Sequence, residues 1–188
     1  TKLNKSDSIL EEVPLVGDKI FGLDIFICKE SYLGKGFGKK MIKEILQQKF
    51  SHATDFIIDP EQKNKRAVYV YEKVGFKIIK KFIAPWHPVP HYLMHMERSA
   101  LERGKPDERK RTEIISKLRL ATEKDSSAIW AVRTAAIQGI GKEYYNIKDM
   151  KKWAPNDMPS KFYEMIKNNE WYVIEQPNGE IVATGFLD

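Results

Sequence analysis

The sequence predicts an α/β protein, and three observations carry that expectation. Short apolar runs rich in Ile, Val and Phe alternate with stretches whose apolar residues recur at helical spacing. A glycine-punctuated segment, YLGKGFGKK (Tyr32–Lys40), joins the first such run to the first helical stretch. The composition, 42% hydrophobic and 31% charged over 188 residues, is that of an ordinary globular chain able to bury a core.

Taken in order, DKIFGLDIFIC (Asp18–Cys28) reads as a buried strand. After the glycines, KKMIKEILQQKF places Met41, Ile42, Ile45 and Leu46 on one helical face. TDFIIDP is a short strand stopped by Pro60. NKRAVYVYEKVGF is a second helix, with Ala67, Val70, Tyr71 and Val74 in register and Gly75 as its stop. KIIKKFIAP and HYLMHME are antiparallel strands joined by the turn PWHPVP. A charged linker, residues 99–116, then separates a first half (1–98) from a second (117–188). The second half restarts with a strand, KLRLAT, followed by a helix with Thr122 and Asp125 as candidate caps. A helical region broken by Pro155 and Pro159 leads to a hairpin whose turn signal is PNG.

Several function classes recede on composition. No apolar run approaches the roughly 20 residues that cross a bilayer, and TKLNKSDS is not a signal peptide. One cysteine excludes an internal disulfide and fits a reducing, cytoplasmic setting. The first residue is Thr, so a piece of a longer polypeptide is one reading of the chain. A net charge of +6 suits either a solvated lysine-rich surface or attraction to a polyanionic ligand. Nucleic-acid binding is not favoured, because the aromatics follow core periodicities instead of interleaving with a basic patch.

LGKGFG follows a strand and opens a helix. Its glycines permit positive φ and close approach of backbone N–H groups, and the helix N-terminus favours a phosphate. The spacing matches neither GxxxxGK[ST] nor GxGxxG. A tight turn with solvated lysines remains the plain alternative. Downstream, NKRAVYVYEKVGF supplies a second motif. Together these resemble the GNAT superfamily of acetyl-CoA-dependent N-acetyltransferases, whose loop has the form Q/R-x-x-G-x-G/A. Leu33 departs from its first position. Over about Gly22–Arg103 the chain most resembles the C-terminal half of aminoglycoside 6′-N-acetyltransferases, which also carry that leucine and an Asp in the preceding strand. The stretch from Lys117 onward, with LRLATEKDSSAIWAVRTAAI and GEIVATGFLD, resembles the N-terminal half of a GNAT domain.

The resemblance implies a GNAT-type central mixed sheet flanked by helices, with its elements in inverted order. The chain is then either permuted or a fragment of a tandem pair. Its halves would pair within one chain or by exchange in a homodimer, with IVATGFLD beside KIFGLDIFIC. It implies acetyl-CoA as cosubstrate, a small-molecule amine as acceptor, an aminoglycoside among the candidates, and direct transfer between them. Phe26, Ile27, Cys28, Leu33, Gly34, Lys35, Gly36, Phe37, Gly38, Lys39 and Asn64 would line the cofactor. Tyr71 matches the tyrosine that protonates the leaving thiolate. Asp24 shares a strand face with Phe26 and would take a proton from the amine or attract it. Trp130, Tyr144, Tyr145 and Trp153 fall where the first helices wall the acceptor. The plain alternatives are a strand-end carboxylate for Asp24, core packing for Tyr71 and the aromatics, and a helix cap for Asn64. Cys28 reads as a packing residue, since no partner for a nucleophile lies at local spacing. His87, His91 and His95 read as exposed or turn positions, so no metal site is expected. The rival from another class is a non-catalytic CoA-binding or assembly fragment.

Overall fold

The computed structural model describes residues 10, 13–27, 30–50, 52–84, 87–103 and 117–187. Cys28 and residues 104–116 of the expected linker lie outside them. The fold is mixed α/β with seven strands, and it divides into two compact units. One holds 1–23 with 42–108 and Asp188; the other holds 24–41 with 109–187. Strand β1 (Ile20–Ile27) therefore changes unit between Leu23 and Asp24.

In the first unit the strand order is β3-β4-β2-β1. Strand β2 (Asp55–Ile58) runs parallel to β1, with Ile20 opposite Asp55 and Gly22 opposite Ile57. It pairs antiparallel with β4 (His87–Glu97), which pairs antiparallel with β3 (Lys77–Ala84). All four residues of β2 are buried, as a run without polar alternation requires of a strand covered on both faces. Leu10, Val13, Ile20, Ile57 and Leu93 form one apolar cluster there. Helix α1 (Phe37–Lys49), which also changes unit between Met41 and Ile42, buries Met41, Ile42, Ile45 and Leu46 completely, the face read from the sequence. Helix α2 (Lys65–Val74) stops at Gly75, whose φ of 128° only glycine adopts readily.

Two local expectations are corrected here. The proline-rich turn is shorter than PWHPVP, because His87–Pro90 already belong to β4, with Ile83 opposite Pro90 and Ala84 opposite His87. His91 and His95 are buried rather than exposed. His95 Nε2 lies 2.7 Å from Asp55 Oδ1, and His91 Nδ1 lies 2.8 Å from the Val89 carbonyl. Asp55 also accepts from the Val16 and Gly17 amides. Burial pushes its carboxyl up, but hydrogen bonds from Thr54, His95 and the two amides outweigh that and hold it below the usual range. Helix α3 (Arg98–Arg103) follows β4 directly.

In the second unit β5 (Lys117–Leu120), β6 (Trp171–Glu175) and β7 (Ile181–Leu187) form an antiparallel meander. The Asp24–Ile27 half of β1 lies on the β7 side. A Cβ placed on Gly185 would stand 2.8 Å from the Asp24 carbonyl oxygen, so glycine permits that approach. The β6–β7 connection is the PNG segment read from the sequence as the hairpin turn. Gln176 N–H donates to the Glu180 carbonyl, Gly179 N–H donates to that of Gln176, and Gly179 takes φ 82°, leaving three residues in the loop.

Helices α4 (Ser126–Gln138), α5 (Ile147–Trp153) and α6 (Ser160–Asn168) complete this unit. Trp171 packs between Phe162 and Phe186, with ring centroids 5.3 and 4.4 Å away. Thr122 and Asp125 do meet, the Thr122 amide and hydroxyl both donating to Asp125 Oδ2. Asp125 also takes a bidentate pair from Arg119, at 2.8 Å for each bond. That guanidinium holds the Asp125 carboxyl far below the usual range. Among the described residues no helix is long and apolar enough to cross a membrane.

Candidate functional site

The glycine segment has the conformation its composition implies. Gly34 and Gly36 take φ of 72° and 84°, and the space a Cβ would fill beside each is open. Helix α1 begins there, the Lys40 amide donating to the Gly36 carbonyl at 2.9 Å. Its first backbone amides therefore have no intrahelical acceptor, and they carry the positive end of the helix dipole. Phe37 and Gly38 are buried beneath the turn, Leu33 and Lys39 are half-buried, and Lys35 is exposed. Residues 33–38 thus offer bare backbone outward and an apolar anchor inward, which suits a phosphate group.

Three contacts hold this turn. Tyr32 donates its hydroxyl to Glu180 Oε2 at 3.2 Å. Its ring stands edge-on to Phe37 with centroids 5.6 Å apart. The Lys35 ammonium lies 5.6 Å from the same ring centre.

Upstream on β1, Asp24 is exposed, whereas Phe26 and Ile27 are half-buried. Phe26 packs against Ile137, Met150 and Ala154 together with Tyr145 and Trp153. Arg133 of α4 lies between two rings, 5.5 Å from the Phe26 centre and 5.2 Å from that of Trp130. It also donates to the Trp153 carbonyl at the end of α5. Burial depresses its guanidinium while the charge of Asp24 opposes that effect. Trp130, Tyr145 and Trp153 are thus gathered around the strand segment that carries Asp24. Tyr144 is edge-on to Tyr145 at 6.5 Å.

In the other unit, Asn64 caps α2, its Oδ1 accepting from the Ala67 amide at 3.0 Å. The Oδ1 thus serves the helix as its cap. Tyr71 is half-buried on α2, edge-on to Phe76 at 6.1 Å.

Asp59 escaped the sequence reading. It follows β2 directly, and burial pushes its carboxyl up to about 6 while its own backbone amide pulls the other way. A carboxyl poised there exchanges a proton near neutrality. The only signal was its place at the end of an apolar run, before Pro60. Arg133 was also missed, because its partners lie on three separate elements.

The acetyltransferase (GNAT) domain family matches residues 4–83. A kanamycin resistance protein of Rhizobium radiobacter is 33% identical over 88 residues, 46% of this chain and 80% of that protein. An aminoglycoside N(6′)-acetyltransferase type 1 of Klebsiella pneumoniae is 33% identical over 84 residues, 44% of this chain but only 41% of its own length. The crystal structure of an aminoglycoside N(6′)-acetyltransferase from Legionella pneumophila is 46% identical, with a TM-score of 0.43. That match covers 46% of this chain and 50% of the other. The chain belongs to the GNAT acetyltransferases.

Proposed function

We propose that this chain is an N-acetyltransferase that moves the acetyl group of acetyl-CoA to a primary amine by direct attack. The observation that carries the reading is the turn at Gly34–Gly38. Two positive-φ glycines with open sides meet a helix N-terminus there, a cradle suited to the pyrophosphate of CoA. The amine nitrogen attacks the thioester carbonyl and the C–S bond breaks. The nitrogen loses a proton, and the thiolate gains one. Asp24 deals with the ammonium, as an anchor or a base, and Tyr71 supplies the thiolate proton, a phenol being close in basicity to a thiol. Asn64 would donate a side-chain N–H to the pantetheine arm. Phe26, Ile27 and Cys28 would contribute backbone to that arm, because the Phe26 ring is engaged in its aromatic cluster.

An aminoglycoside is the first acceptor to test, since the Klebsiella pneumoniae relative bears that name. The inverted order of halves is part of the proposal. Pairing within one chain and exchange in a homodimer would each complete the sheet, with the Asp24–Ile27 half of β1 on the β7 side.

Thiol release from acetyl-CoA across aminoglycosides, polyamines and peptides tests the reading. Tyr71→Phe is expected to lower kcat about tenfold or more with little change in CoA affinity, in line with the loss of a general acid. Asp24→Asn is expected to act mainly on the amine. No turnover with any amine, beside intact CoA binding, would favour the non-catalytic alternative.

A further inference from the structure

We propose that Tyr32, held by Glu180, is the positioning residue of the glycine turn: it fixes the path of Leu33–Gly36 and parks the Lys35 ammonium beside it. The inference rests on the reading of that turn as the CoA pyrophosphate site. A segment with two left-handed glycines gains close backbone approach but is conformationally loose, so its order must come from outside. The Tyr32 side chain makes contacts in three places at once. Its hydroxyl reaches the β6–β7 connection through Glu180, its edge meets Phe37 at the start of α1, and its face carries Lys35.

Glu180 is itself fixed. Its amide donates to Asn178 Oδ1 at 3.0 Å, and its carbonyl accepts from the Gln176 amide at 2.8 Å. The tether thus runs from a closed hairpin loop, across a phenol, to the first turn of α1. Lys35 is exposed, and as a free lysine it would sample many rotamers. Over the Tyr32 ring it is confined next to the turn. The ammonium is then available to a diphosphate as a compact point charge. Neither Tyr32 nor Glu180 needs to touch the ligand; both act by lowering the cost of ordering the turn.

Tyr32→Phe isolates the tether, because it keeps the ring for Phe37 and Lys35 and removes only the hydroxyl. Glu180→Ala removes the acceptor, and Glu180→Gln keeps an oxygen that still accepts from the phenol. The expected result is a rise of about five- to tenfold in the CoA Kd, measured by calorimetry, for Tyr32→Phe and for Glu180→Ala. The double variant should be no weaker than either single, because both remove one interaction. Glu180→Gln should recover most of the affinity. KM for acetyl-CoA should rise with kcat and the amine KM unchanged, a split that general loosening of the fold does not produce. Hydrogen exchange at the Gly34 and Gly36 amides should quicken in both single variants without ligand. A Tyr32→Phe chain that binds CoA as tightly as the parent overturns the inference alone. A parent chain that binds no CoA overturns the proposed function and this inference with it.

Discussion

Asp59 is carried into the fold against its charge. Its carboxyl titrates near 6, well above an ordinary aspartate, because burial disfavours the ionised form. Between the unfolded and folded pKa values the native state binds the extra proton. Stability from this group is therefore present below pH 4 and falls as pH rises through about 6. Asp59→Asn should raise unfolding stability at pH 7 by on the order of 2 kcal/mol and change little at pH 4. Denaturation at the two pH values checks this, and a loss of turnover in the same variant would mark Asp59 as a working group. The positive-φ glycines Gly34 and Gly36 were legible in the sequence because their signal is local. The partner of Tyr32 stands 148 residues away, and no spacing rule reaches so far.

At the scale of elements, the strongly periodic segments came through. The buried face of α1 and the Gly75 stop of α2 follow from side-chain periodicity and glycine φ alone. The histidines of β4 did not. Leu93, Met94, His95 and Met96 are buried in succession, so both faces of that strand are covered and no in-out alternation survives. Polarity then misleads, because a buried histidine is satisfied by a carboxylate 40 positions away. The turn before α1 invites a test of its backbone. Gly36→Val meets open space but must hold a φ of 84°, so the cost is strain rather than collision. A loss of at least about 1–2 kcal/mol is expected. CoA affinity should fall further than stability does. Thermal melts beside CoA titrations separate the two, and unchanged CoA binding in a folded variant would count against this turn as the site.

At the scale of the molecule, the last strand lies on the side of the Asp24–Ile27 half of the first. Apolar content predicted that neighbourhood, because Ile181–Leu187 and Ile20–Ile27 are each too hydrophobic to stand as open edges. What the sequence did not reveal was the division in the middle of β1. Compactness is a sum over distant contacts, and β1 carries no break in its own residues to announce it. Gly185→Val tests the close approach at Asp24. With 2.8 Å to a carbonyl oxygen, a side chain forces the strands apart. The expected outcome is a loss of about 2 kcal/mol or more, within the range for overpacking, seen as a lower urea midpoint.

The meeting of Gly185 with Asp24 also sets a timetable. A ribosome adds about 5–20 residues per second, so Gly185 emerges on the order of 10–30 s after Asp24. Through that interval β2 can already pair with the first half of β1, but the neighbour of the Asp24–Ile27 half does not yet exist. The apolar residues of that half wait in a growing chain with unpaired backbone, open to any passing strand. Translation speed over the second half thus becomes a determinant of yield. Slowing it should increase chaperone dependence and aggregation without altering the finished protein.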